Sequence, residues 1–300
     1  MVLTAPLPAD GVGALAAYDV EVGPPTADAD ALVCLLTDRI GPDVLRGRRL
    51  KVVATVAVGV DNVDVAAATA AGIVVTNTPG LLDETTADLA FLLILAASRR
   101  ASQAEAALRR GTWDGWRLDG FLGNDVHGAR LALLGFGRTG RAVARRAAGF
   151  DMVVRHCTRH DTGEPGWTDD LDGLLRWADV VSVHTPLTAE THHLLDARRL
   201  ALLRPTAVVV NTARGPVVDA DALAAALEDG RLGGAGLDVY ADEPRVDPRL
   251  LAAPNLVLLP HIGSATAATR LAMVRHACEN VDAVLRGERP ASPVNPEVLA

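Results

Sequence analysis

Short apolar runs rich in Val, Leu and Ala recur along the chain, separated by longer segments in which Ala and Leu are interleaved with Arg, Asp and Glu. A short apolar run bounded by turn residues reads as a buried strand, and a longer mixed segment reads as an amphipathic helix. Their alternation predicts an α/β fold, a parallel sheet with helices on both faces. In the first third, residues 19–22, 31–36, 50–55 and 72–76 are expected strands of a small α/β unit. A helical pattern then runs over residues 83–110, with Asp83 as its N-cap and Pro79-Gly80 as the turn before it. From Arg130 the alternation becomes regular, with strands expected at 131–134, 152–156, 180–184, 207–211, 236–240 and 256–259, which suits a doubly wound sheet. A last helix over 265–286 is expected to stop near Gly287, ahead of a tail carrying Pro290, Pro293 and Pro296.

A chain of 300 residues suits two domains of roughly 100 to 200 residues each. With 49% hydrophobic and 22% charged residues, it has the balance of an ordinary globular protein. The longest apolar stretches, 52–60 and 89–97, fall short of the roughly 20 residues a membrane helix needs. No basic residue precedes Arg39, so no targeting segment is expected and a cytoplasmic location is. A formal charge of −8 disfavours a nucleic-acid partner and points to a small molecule. Cys34, Cys157 and Cys278 lack C-x-x-C spacing, and the histidines lack H-E-x-x-H spacing, so neither a disulfide framework nor a metal site is expected.

Gly135-Phe136-Gly137-Arg138-Thr139-Gly140 follows one expected strand and opens a helical segment, the setting a dinucleotide-binding turn requires. There the glycines let backbone approach a pyrophosphate, and the positive end of the helix faces its oxygens. An NAD site places an acid about 20 residues on, at the end of the second strand. This chain has Cys157-Thr158-Arg159-His160 there. A neutral Thr158 and a cationic Arg159 remove the repulsion of a 2′-phosphate and supply a bidentate donor, so NADP(H) is the expected cofactor, with NAD possible. In the alternative, Arg159 is a solvated loop charge and Asp161 takes the ribose. Three further strands end in charged groups, at Arg214, Glu243 and His261. Ligands of open α/β sheets bind at that edge, where these three can converge. Arg214 would grip the carboxylate of a 2-oxo acid, His261 would protonate its carbonyl oxygen, and Glu243 would orient that imidazole and keep it charged.

Read together, Gly135 to Gly140, Asn211-Thr-Ala-Arg-Gly-Pro-Val-Val-Asp219, Gly236-Leu-Asp-Val-Tyr-Ala-Asp-Glu-Pro244 and Pro260-His-Ile-Gly-Ser-Ala-Thr266 resemble the D-isomer-specific 2-hydroxyacid dehydrogenases. The likeness extends to Val58-Gly-Val-Asp-Asn-Val-Asp64 and to Thr76-Asn-Thr-Pro79. It implies a doubly wound Rossmann sheet, residues 97–269, inserted into a smaller flavodoxin-like α/β substrate domain made of residues 1–96 and 270–300. The family's catalytic Arg, Glu and His fall on Arg214, Glu243 and His261. The resemblance further implies that backbone at Val58 and Gly59 binds the substrate carboxylate and that Asp238 meets the nicotinamide amide. It also implies that Gly135, Gly137, Arg138, Thr139, Gly140, Thr158, Arg159, Thr185, Pro186, Thr212, Ala213, His261 and Gly263 line the cofactor.

Thr158-Arg159 is similar to the NADPH-preferring glyoxylate/hydroxypyruvate reductase branch, and a homodimer is expected from the family and from the apolar helical segment 83–110. A 2-ketogluconate reductase, a phosphite- or phosphonate-oxidising enzyme and a dinucleotide-sensing corepressor scaffold are the competing readings. Glu243 stands where formate dehydrogenases use Gln, and neither a regulatory domain beyond Ala300 nor allosteric serine control is expected. One departure is structural: residues 23–30 are short for the crossover helix that relatives insert there, so a trimmed outer layer or an altered strand order is expected.

Overall fold

The computed structural model describes residues 1–26, 28–46 and 49–300. The chain packs as two compact units, one formed by Met1–Leu82 with Ser264–Ala300, the other by Asp83–Gly263. The expected boundaries at 96/97 and 269/270 lie further along the chain, inside two helices. The packing instead breaks at or just before the start of each helix.

Among the described residues, the first unit holds a parallel sheet of β1 (Val2–Leu3), β2 (Glu21–Val22), β3 (Ala31–Cys34), β4 (Val52–Thr55) and β5 (Val74–Thr76), in the order β2-β1-β3-β4-β5. β3 and β4 are buried along their whole length, which is why they read as continuous apolar runs rather than alternating ones. One face is covered by α1 (Pro42–Leu45) and α2 (Val65–Ala70), whose Val44, Leu45 and Ala68 join Ile40, Val53 and Val75 in a core. The C-terminal helix Ala267–Leu285 covers the other face, burying Met273, Val274, Ala277, Cys278 and Val281 against Val33, Val52 and Ala54.

β1 has no counterpart among the expected strands. The segment 23–30, in which Ala27 lies outside the described residues, does join β2 to β3 without a helix among its described residues, and the strand order is that of a flavodoxin-like sheet. The short connection suffices because β2 has only two residues, leaving almost no strand length to climb back. Crossing β1 costs about 10 Å sideways, well within the reach of eight residues at about 3.3 Å each.

The second unit is a parallel sheet, among the described residues, of β6 (Arg130–Leu134), β7 (Val153–Cys157), β8 (Val180–Val183), β9 (Val208–Asn211), β10 (Gly234–Leu237) and β11 (Leu256–Leu258). Its order is β11-β10-β9-β8-β6-β7, so the winding reverses between β6 and β8, the switch point at which such sheets bind ligands. The expected single helix over 83–110 is two helices, α3 (Asp83–Ser98) and α4 (Ala101–Arg109), with Arg100 in the left-handed region at φ 52°. The break has a tertiary cause: the Ser98 carbonyl accepts from the Asn124 N–H at 2.8 Å, and the chain at Gly123 passes directly over it. α3 buries Ala87, Ala90, Phe91, Leu93, Ile94 and Ala97 in the core that also holds Leu131, Leu133, Val208 and Val210. Further on lie α5 (Arg138–Ala148), α6 (Leu171–Trp177), α7 (Ala197–Leu200), α8 (Ala220–Glu228) and α9 (Pro248–Ala252). No helix of the described residues is long and apolar enough to cross a membrane. Cys34, Cys157 and Cys278 are all free thiols.

In the first unit the C-terminal tail is stitched to β5 by a buried carboxamide. Asn295 accepts from the Val75 N–H at 2.8 Å and donates to the Ile73 carbonyl at 2.9 Å. Asn295→Ala leaves both backbone groups buried without partners, and should cost about 1 to 3 kcal/mol for each group stranded. Urea denaturation followed by circular dichroism checks this, and a midpoint unchanged from wild type would mean that the tail is held by its apolar contacts alone.

Candidate active site

At the switch point, the turn after β6 is built for close backbone approach. Gly135 has φ 97°, and a Cβ there would lie 2.4 Å from the His184 carbonyl oxygen, so only glycine fits. His184 is thereby a structural neighbour of the turn. Its Nε2 pairs with Ser182 Oγ at 2.8 Å, and the protein packed around the ring pushes its pKa down to about 4. α5 has Gly137 at its N-cap, with no side-chain cap and no acid in its first turn, leaving its leading N–H groups open to an anion. Arg138 is exposed beside them, and Thr139 donates to Asp83 at 3.3 Å. Thr185 adjoins Gly135, the Pro186 carbonyl accepts from Thr191 Oγ1, and the Thr212 hydroxyl is buried with no partner among the described residues. An uncapped helix start, a glycine-only approach and an orphaned hydroxyl fit a dinucleotide.

A stack behind this turn carries no sequence signature. The buried His156 ring lies parallel to Phe136, centroids 3.7 Å apart, and Arg141 sits over Phe136 at 4.8 Å. Burial and the Arg141 charge hold His156 below its ordinary pKa. Beyond β7, the Thr158 hydroxyl donates to the His160 carbonyl at 2.7 Å and accepts from Trp167 Nε1 at 3.0 Å. Arg159 is exposed and 3.5 Å from Glu190, while Asp161 is occupied in its own loop, accepting from the Gly163 N–H at 2.8 Å.

The strand ends of β9, β10 and β11 bring the charged groups together. His261 Nδ1 lies 2.7 Å from Glu243 Oε2. Burial presses the Glu243 carboxyl upward, but hydrogen bonds from His261 and the Tyr240 N–H, with the charges of His261 and Arg214, leave it below its ordinary range. The Tyr240 N–H donates to Glu243 Oε1 at 2.9 Å, and the Tyr240 hydroxyl is fixed to the Leu259 carbonyl at 2.8 Å. Arg214 reaches this neighbourhood because its loop touches the next one through backbone: a Cβ on Gly215 would lie 2.0 Å from the Tyr240 carbonyl carbon. Asn211 shapes that loop, accepting from the Ala213 N–H at 3.0 Å and donating to the Arg214 carbonyl at 2.8 Å. Arg214 also donates to the Ala213 carbonyl at 2.7 Å.

Asp238 is the buried acid beneath. Its two carboxylate oxygens accept from the Ile262 and Gly263 N–H groups, each at 2.8 Å, and burial raises its pKa. That clamp holds His261 in the left-handed region at φ 53°, a conformation costing on the order of 1 to 3 kcal/mol and concentrated at functional sites. Asn211 and Tyr240 are supporting residues that the sequence reading does not single out. Only an Asx-turn preference at Asn211 hints at one of them. Val58 and Gly59 lie in the first unit, just beyond β4. Among the described residues, no cluster of His, Cys, Asp or Glu could hold a metal ion.

Comparison with known proteins agrees with this architecture. Residues 91–263 match the family model of the D-isomer specific 2-hydroxyacid dehydrogenase, NAD binding domain. The chain is 44% identical over 284 residues to a glyoxylate reductase of Thermococcus litoralis, covering 91% of this chain and 85% of that protein. A solved structure of a Thermus thermophilus protein superposes with a TM-score of 0.92 at 44% identity, covering 98% of this chain and 99% of that one. The NADPH-dependent glyoxylate/hydroxypyruvate reductase of Sinorhizobium meliloti, solved with NADP and malonate, gives a TM-score of 0.89 at 33% identity, covering 98% of this chain and 95% of that one. A family model spanning more than half of the chain and relatives at this identity and coverage leave one conclusion: the chain belongs to the D-isomer-specific 2-hydroxyacid dehydrogenases, enzymes that use a nicotinamide dinucleotide.

Proposed function

We propose that this enzyme reduces a small 2-oxo acid of the glyoxylate or hydroxypyruvate type to the D-2-hydroxy acid, with NADPH as the preferred cofactor. The observation that carries the reading is the 2.7 Å pair of His261 Nδ1 and Glu243 Oε2, beside an arginine loop locked to it at Gly215. With Nδ1 engaged by the carboxylate, Nε2 is the ring nitrogen left to deliver a proton. A bound reduced nicotinamide supplies the hydride. Arg214 holds the substrate carboxylate in its planar fork, His261 protonates the carbonyl oxygen, and Glu243 fixes the orientation of the ring. Gly135, Gly137 and Gly140, with Arg138, Thr139, Thr185, Pro186, Thr212 and Ala213, hold the dinucleotide, and Asp238 and Gly263 its nicotinamide end. The names of the Thermococcus and Sinorhizobium relatives favour this substrate class. His261→Ala should lower turnover in oxo-acid reduction by roughly 10² to 10⁴-fold. An unchanged rate, followed by nicotinamide absorbance, removes His261 from the chemistry.

The cofactor preference rests on Thr158 and Arg159, which bring no acid to the position an NAD-binding acid would take. Arg159→Ala should therefore lower the NADPH-to-NADH ratio of kcat/KM, mostly through KM for NADPH. A ratio that stays at the wild-type value assigns Arg159 to the solvent.

We also infer that two copies associate through the second unit. Leu92 and Leu108 are 49% and 61% exposed on α3 and α4, and the segment after α4 adds Trp116 and Leu118, each 82% exposed. So much apolar surface on one unit suits burial against a second copy. Light scattering should give twice the chain mass of 31.3 kDa. A single-chain mass at working concentration would overturn the dimer.

A further inference from the structure

We propose that Asn77 is a positioning residue for the substrate carboxylate, setting the direction of the Gly59 N–H by holding the Val58 carbonyl. The inference rests on the reading of Val58 and Gly59 as the carboxylate-binding backbone, and every contact in it lies within the first unit.

The far end of the loop after β4 is held by Asn62, whose side chain donates to the Leu35 and Asp38 carbonyls at 3.0 and 2.9 Å. Asn77, one residue beyond β5, donates from Nδ2 to the Val58 carbonyl at 2.8 Å, and the neighbouring Thr78 N–H donates to the Ala57 carbonyl at 2.9 Å. Because the peptide unit is planar and trans, its carbonyl and its N–H point in opposite directions. Pinning the Val58 carbonyl toward Asn77 therefore turns the Gly59 N–H away from it. That N–H donates to no other group among the described residues. An amide aimed by a neighbour and left without an acceptor is what a carboxylate requires.

Asn77 is in turn held from the C-terminal segment. Its carbonyl accepts from Ser292 Oγ at 2.6 Å. Ser292 Oγ is also 3.0 Å from Asn280 Nδ2 and 2.8 Å from His276 Nε2. A hydroxyl has one proton to give and two lone pairs. With the proton spent on Asn77, both side chains must donate, which places a proton on His276 Nε2. The buried Asn280 completes the anchor by accepting from the Ala291 N–H at 2.8 Å. The chain of bonds thus runs from the C-terminal helix through Ser292 and Asn77 to the Val58–Gly59 peptide. Asn77 and Ser292 are placed to act on the Val58–Gly59 peptide, so their effect passes through the direction of one N–H.

The test is steady-state kinetics on the full chain with glyoxylate and NADPH. Asn77→Asp keeps the shape of the side chain but replaces the donor with an acceptor that repels the Val58 carbonyl, and Asn77→Ala removes the contact altogether. Both should raise KM for glyoxylate about tenfold, the loss of one hydrogen bond to a charged group. KM for NADPH should not move, kcat should stay within about twofold of wild type, and Ki for a competing dicarboxylate such as malonate should rise in step. Ser292→Ala should produce a smaller rise of the same kind. An unchanged KM for glyoxylate in a folded Asn77→Ala enzyme, or a parallel rise in the KM of glyoxylate and NADPH, overturns the positioning role. Wild-type protein that reduces no 2-oxo acid overturns the underlying reading instead, so the two failures are distinct.

Discussion

The site in the second unit depends on one buried carboxylate. Asp238 sits at the end of β10 with almost no exposure, and a group so placed is tolerable only if donors surround it. The Ile262 and Gly263 N–H groups are those donors. In accepting them, Asp238 fixes the turn that begins at His261 and holds that residue in a backbone conformation it would not choose. The imidazole direction then needs one more constraint, and Glu243 provides it. Glu243 is itself tied by the Tyr240 N–H, two residues along the chain from Asp238. The acid that positions the turn and the acid that orients the ring therefore sit on the same strand exit.

Parallel sheets explain why Arg214, Glu243 and His261 lie on loops. β4, β8 and β9 are buried along their full length, so their side chains serve the core or, like Asn211 at the end of β9, hold the loop that follows. Reactive groups must then be presented just beyond the strand ends, and neighbouring loops must approach closely to share one ligand. Backbone contacts at Gly135 and Gly215 meet that need, since at both positions a single added carbon would collide with the adjacent loop. These glycines are thus as much a part of the site as the charged residues they bring together.

The same constraint decides how much the sequence reveals. Parallel strands announce themselves as apolar runs, and β6, β7, β8, β9 and β11 begin and end within about one residue of the expected spans. β10 instead runs from Gly234 to Leu237, ahead of the expected 236–240, because its glycines at 234 and 236 carry no side chain to mark an apolar run. Chemistry gathers at the strand ends, so Arg214, Glu243 and His261 stand out from sequence alone. The features that stay hidden share a different cause. β1 is two residues long and carries no pattern to detect. The break at Arg100 has no glycine or proline to mark it and follows from the capture of the Ser98 carbonyl by Asn124. Asn77, Asn211 and Tyr240 act by holding backbone, and a residue that works through another residue's geometry leaves no motif of its own.

The electrostatics beyond β7 refine what the proposed NADPH preference can amount to. Thr158 has already spent its hydroxyl proton on the His160 carbonyl, so of the Thr158 and Arg159 side chains only Arg159 has a donor to offer a 2′-phosphate. Arg159 faces Glu190 at 3.5 Å, with both side chains about two-thirds exposed, so water screens most of their attraction. An arriving phosphate must displace or share that carboxylate, which offsets part of the new contact. Selectivity is a difference between two affinities, and the larger share of it comes from what is missing. An acid at position 158 would repel the phosphate and reward the bare ribose, and this chain has neither effect. The discrimination expected from such a site is modest, resting on tolerance of the phosphate more than on a strong grip.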